Sequence, residues 1–121
     1  MERWKNYKIL IVNDDPFLLM LVTKYLSATG IQITYAMNGE EAIHLCKNNK
    51  YDIILMNIQM PIMNGFKATS EIRGFNRDIV IIAESSYHYE SERFFSNGFT
   101  DFVLTPFDKT RLIQLFKKYL F

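Results

Sequence analysis

Polar residues close each of four strand-length runs in this chain: Asn13-Asp14-Asp15 after Lys8 to Val12, Asn57 after Ile53 to Met56, Ser85 after Ile79 to Ala83, and Thr105-Pro106 after Asp101 to Leu104. Asp15 reads as a helix-capping acid, because a carboxylate at a helix N-terminus is favoured. Asp14 reads either as a second such acid or as a cation ligand. Asn57 offers a neutral amide, a very poor nucleophile beside a carboxylate. Ser85 and Thr105 bring hydroxyls suited to hydrogen bonding, and nothing around Ser85 supplies a base. Glu84 is a further acid, but neighbouring side chains of a strand point to opposite faces, so beside an inward Ser85 it is read as pointing away. His44 and His88 have no second ligand at metal spacing and read as surface residues. Cys46, the single cysteine, lies beside Ala42, Ile43 and Leu45 and reads as a small buried hydrophobe.

Positioning these residues takes a regular alternation of elements. Short β-branched runs alternate with helix-length segments along the whole chain, the pattern of a parallel sheet with crossover helices. Lys8 to Val12, Ile31 to Ala36, Ile53 to Asn57, Ile79 to Ala83 and Asp101 to Leu104 are the expected strands. Asp15 with Pro16 starts a first helix that Gly30 ends, and Asn38 with Glu41 starts a second that Asn48-Asn49 breaks. Gly65 opens a third, ended by Gly74. Glu90 to Asn97 reads as a short fourth, and Asp108 caps a fifth with an apolar stripe from Leu112 to Leu120. The expected fold is α/β: a doubly wound, flavodoxin-like, five-stranded parallel sheet between two helical layers. In such sheets the binding crevice lies at the carboxyl ends of the strands, where the polar residues fall.

The third run and its sequel, Ile53-Ile54-Leu55-Met56-Asn57 then Met60-Pro61 and Asn64-Gly65, together with Ile81-Ile82-Ala83 and Thr105-Pro106-Phe107, resemble a response-regulator receiver domain of two-component signalling. The resemblance covers the whole chain, 1–121, read as one domain. It implies a phosphorelay function and assigns positions. Asn13 stands for the first acid of the pocket pair and Asp14 for the second, with Asp15 beside them at the acidic pocket, and Asn57 stands for the phosphate-accepting aspartate. Ser85 stands for the switch hydroxyl, Phe102 for the switch aromatic and Thr105 for the lysine, while Pro106 marks the place of a cis peptide. The departures at 13, 57 and 105 imply a pseudo-receiver, with no aspartyl phosphorylation, no catalytic residues and no required cofactor. Magnesium at Asp14 is expected to be weak or absent. A lysine whose carboxylate partners had gone would be an unpaired charge, so Thr105 fits the other losses, and two amides and two hydroxyls are expected to gather around Asp14. The implied partners are a histidine kinase, a phosphotransfer protein or an attached output domain, met through the fourth helix, fifth strand and fifth helix. A homodimer through that face is a further expectation.

Composition bounds the alternatives. The 121 residues are 49% hydrophobic and 22% charged, with 14 basic and 13 acidic residues and a net charge of +1. That favours one globular core and no binding of nucleic acid or anionic membrane. No run approaches the roughly 20 residues of a bilayer span, which makes the cytoplasm the default location. Tyr87-His88-Tyr89, Phe94, Phe95 and Phe99 are read as mostly core with some exposure. Two other functions compete: a phosphorylatable receiver with altered chemistry, and a nucleotide or flavin phosphate site in the same crevice. The second is opposed by the acidic Asn13-Asp14-Asp15-Pro16, where a phosphate cradle would carry glycines.

Overall fold

A computed structural model of the chain describes residues 3–121. Five strands, β1 (Lys8–Val12), β2 (Gln32–Ala36), β3 (Ile53–Asn57), β4 (Val80–Ser85) and β5 (Asp101–Leu104), form one parallel sheet in the order β2-β1-β3-β4-β5. The intervening helices are α1 (Pro16–Leu26), α2 (Gly39–Asn48), α3 (Gly65–Arg73), α4 (Ser91–Ser96) and α5 (Lys109–Leu120). The strand order reverses between β1 and β3, so a crevice opens at the carboxyl ends there.

Helix starts follow local chemistry. Asp15, Asn38, Asn64 and Asp108 each cap a helix by accepting a backbone N–H from Phe17, Glu41, Lys67 and Arg111. α4 with its caps fills the short helix expected over Glu90 to Asn97. Two elements depart from expectation by more than one residue. α1 stops at Leu26 and a 3-10 turn carries the chain to Gly30 at φ 78°. β4 continues past Ala83 through Glu84 and Ser85.

Strand alternation divides the core into two layers. Ile9, Ile11, Ile53, Leu55, Ile82 and Val103 pack with Val22 and Leu26 of α1 and Leu112, Leu115 and Phe116 of α5. Leu10, Val12, Ile54, Met56, Ile81 and Ala83 pack with residues of α2, α3 and α4, including Cys46, Ile72 and Phe94. Burial pushes the Cys46 thiol up to about 11, which leaves it protonated and unreactive at neutral pH. No helix among the described residues is long and apolar enough to cross a membrane.

One loop residue is strained. Met63 N–H donates to Pro61 O at 2.7 Å, a γ-turn around Ile62, which has φ 71° and is 73% exposed. A β-branched side chain at positive φ crowds its own carbonyl and here recovers no burial. Ile62→Asn should therefore raise the unfolding free energy by about 1 kcal/mol. Urea denaturation checks this, and an unchanged midpoint would remove the strain argument.

Candidate functional site

The parity of the two layers decides which polar residues meet. Counting by twos from Ile11, Leu55, Ile82 and Val103 leads to Asn13, Asn57, Glu84 and Thr105, all on the α1/α5 side. Ser85 has the parity of Ala83 and falls on the other side. The ladder holds this register to its end: Asn57 pairs with Glu84, Ile58 N–H donates to Glu84 O at 3.2 Å, and Asn13 N–H donates to Ala36 O at 3.0 Å.

Glu84, only 2% exposed, is the centre of the cluster. Asn13 Nδ2 donates to Glu84 Oε1 at 2.8 Å and Asn57 Nδ2 donates to the same oxygen at 2.7 Å. Asn13 is itself oriented, since its Oδ1 accepts from Asp15 N at 2.9 Å. One carboxylate thus joins the ends of β1, β3 and β4. Burial pushes the Glu84 carboxyl up. The Asn57 and Asn13 amides, then the Thr105 hydroxyl, pull it back, and Asp15 adds to the upward push. Thr105 reaches Glu84 without a hydrogen bond of ordinary geometry.

This corrects two expectations. Glu84 points into the crevice, whereas Ser85 does not join the cluster: its Oγ donates to Tyr87 O at 2.7 Å and accepts from Tyr87 N at 3.1 Å, fixing the loop before α4. The amides gather around Glu84 and not around Asp14, which is exposed. Asp15 serves as the cap of α1, with Oδ1 accepting from Phe17 N at 3.0 Å. Thr105 is partly buried at the crevice floor, its peptide to Pro106 is cis, and Phe102 lies stacked on Phe94 with centroids 4.6 Å apart at 14°. His44 and His88 are exposed. The acid itself is visible in the sequence, and its facing is misread when Ser85 is taken as the inward residue of the pair.

A raised carboxyl penalises the folded state once it ionises. The penalty is absent below the usual carboxylate range and is complete above the raised value. Glu84→Gln keeps an oxygen for both amides and removes the charge. It should melt at a higher temperature than the wild type at neutral pH, the gap closing as pH falls through the carboxylate range. A gap that is independent of pH would contradict an ionised, buried Glu84.

The response regulator receiver domain profile matches residues 9–117. The chain belongs to that family. Transcription factor SKN7 of Candida albicans is 34% identical over 117 residues, covering 95% of this chain and 21% of that protein. Hybrid signal transduction histidine kinase B of Dictyostelium discoideum is 33% identical over 132 residues, covering 96% of this chain and 7% of that protein. The receiver thus spans about a fifth or less of these curated relatives. Among solved structures, a chain of the CheX-CheY-BeF3-Mg2+ complex from Borrelia burgdorferi superposes with a TM-score of 0.90 at 28% identity, over 95% of this receiver and 90% of that chain. The receiver domain of sensor histidine kinase PA1611 from Pseudomonas aeruginosa, with magnesium coordinated in its active site cleft, superposes at 0.87 with 27% identity, over 94% and 97%.

Two of the side chains that face this receiver's crevice, Asn13 and Asn57, do not suit magnesium as they are turned. A hard cation needs anionic or carbonyl oxygens. Asn13 and Asn57 instead turn NH2 groups inward, and both occupy the one buried carboxylate oxygen they share. Among the described residues no three His, Cys, Asp or Glu side chains gather at metal-binding separation.

Proposed function

We propose that this receiver is a pseudo-receiver, a single domain over 1–121 that takes part in two-component signalling through protein contacts and without an aspartyl phosphate. The observation that carries this reading is the Asn57 amide at the carboxyl end of β3, its Nδ2 held by the buried Glu84 carboxylate. An acyl phosphate needs a nucleophilic carboxylate at that point, and a committed neutral amide supplies none. The module is then not an enzyme and needs no cofactor.

The partners follow from the relatives, which include a hybrid histidine kinase and a transcription factor. A histidine kinase, a phosphotransfer protein or an output domain would meet the face of α4, β5 and α5. Exposed Phe95 and Tyr87 lie on or beside α4 and support that surface. A homodimer through it and a cytoplasmic location complete the reading.

The test is incubation with acetyl phosphate and magnesium, followed by intact-mass measurement, and titration with magnesium and beryllofluoride followed by NMR. Unchanged mass and unmoved Asn57 and Phe102 signals are expected. A phosphorylated species that is lost on Asn57 substitution, or saturable shifts running from Asn57 to Phe102, would overturn the reading.

A further inference from the structure

The crevice at the ends of β1, β3, β4 and β5 has a volume of about 540 Å³, a size ordinary for a ligand site. Its charged lining is entirely acidic: Asp14, Asp15 and Glu84, with no lysine, arginine or histidine. The acids alone would define only a negative surface, but two buried acceptors add to them. Glu84 faces the crevice at 2% exposure, and neither ion pair seen among the described residues involves it. Asn57 Oδ1, at the same wall, is buried and accepts no hydrogen bond.

A buried carboxylate without a cation and a buried amide oxygen without a donor are both costly. A single group bearing several N–H donors and a positive charge would answer both. The mouth of the crevice fits the rest of such a ligand. Phe17 is 63% exposed there, and partly buried Phe107, on the loop after β5, lines the same crevice, two aromatic side chains for a cation or its apolar stem.

We propose that the crevice binds a guanidinium or alkylammonium group, through the Glu84, Asp14 and Asp15 carboxylates, with Phe17 and Phe107 against its stem. The proposal rests on the crevice taking no phosphoryl group, and the two ideas fail separately: magnesium with beryllofluoride tests that one, and an organic cation without metal tests this one.

The first probe is methylguanidinium chloride, followed by amide NMR with matched sodium chloride as reference. Saturable shifts are expected at Glu84 and at the side-chain NH2 signals of Asn13 and Asn57. Glu84→Gln should weaken binding at least about tenfold, as loss of a buried charge partner does. Asp15→Asn should weaken it less, and Glu71→Gln, on exposed α3 surface, should leave it unchanged. Acetyl-Gly-Arg-Gly-amide then separates the sources. Tighter binding than methylguanidinium assigns the cation to an arginine of a protein partner, and weaker binding assigns it to a small amine. Shifts no larger than those with sodium chloride, or equal binding by wild type and Glu84→Gln, would overturn the proposal.

Discussion

Gly65→Ala should cost about 3 kcal/mol of stability, at the upper end for overpacking, and lower the melting temperature by roughly 10 °C. A Cβ at residue 65 would stand 2.2 Å from Asn57 O, 3.0 Å from Asn57 C and 3.0 Å from Ile58 Cα. All three are backbone atoms at the end of β3, so no side chain can swing aside. The first turn of α3 must retreat, which strains the bond from Gly65 N to Ile58 O at 2.7 Å and the Asn64 cap on Lys67 N at 2.9 Å. The same movement displaces the residue that holds Glu84. NMR of the variant should therefore show the Asn57 and Asn13 side-chain amides shifted along with the α3 backbone. Gly74→Ala is the internal control: at the other end of α3 it has helical dihedrals, φ −63° and ψ −25°, and its nearest neighbour is Glu71 O at 3.1 Å. A cost below about 1 kcal/mol is expected there. Equal stability of the two variants would show that β3 and α3 do not approach as closely as described.

The contrast between these glycines bears on what a sequence can reveal. Helix starts were readable because a cap is a local event: Asp15, Asn38 and Asp108 satisfy N–H groups two or three residues away. The strands β3 and β5 were bounded correctly, since an apolar run stops where the polar crevice begins. The same rule shortened β4. Glu84 and Ser85 look like the start of a loop, yet each is 2% exposed and belongs to the strand. Nor could the facing of Glu84 be taken from β4 itself. A strand covered on both faces is apolar at every position, so it carries no period-two signal. Only the register against β3, a pairing across sequence, sets Glu84 opposite Asn57. The aromatic group behaves likewise: Phe94 and Phe99 are buried against Phe66 while Tyr87 and Phe95 are exposed, a division made by packing across elements.

Asn57→Asp alone should destabilise the domain by about 3 kcal/mol at neutral pH, as an uncompensated buried charge does. The substitution places a carboxylate oxygen where Nδ2 now lies 2.7 Å from Glu84 Oε1. Two carboxylates at that distance cannot both ionise, and the other charged residues lining the crevice, Asp14 and Asp15, are negative as well. The pair must keep one proton, so its upper carboxyl is raised above the unfolded value. Stability contributed by such a group is complete below the unfolded value and is lost as pH rises through the folded one. The variant should thus approach wild-type stability in mildly acidic buffer and fall away from it toward neutrality. Adding Glu84→Gln should recover most of the loss, because a glutamine can turn its NH2 toward the new carboxylate, and the two changes will be strongly non-additive. The phosphoryl chemistry follows the same pair. A carboxyl that shares a proton with Glu84 is a poor nucleophile, so Asn57→Asp with acetyl phosphate and magnesium should remain largely unmodified, and the double variant should react better. Denaturation across the pH range, paired with intact-mass measurement, reads both effects. If Asn57→Asp matched the wild type in stability at every pH, Glu84 would not be the charged partner of residue 57.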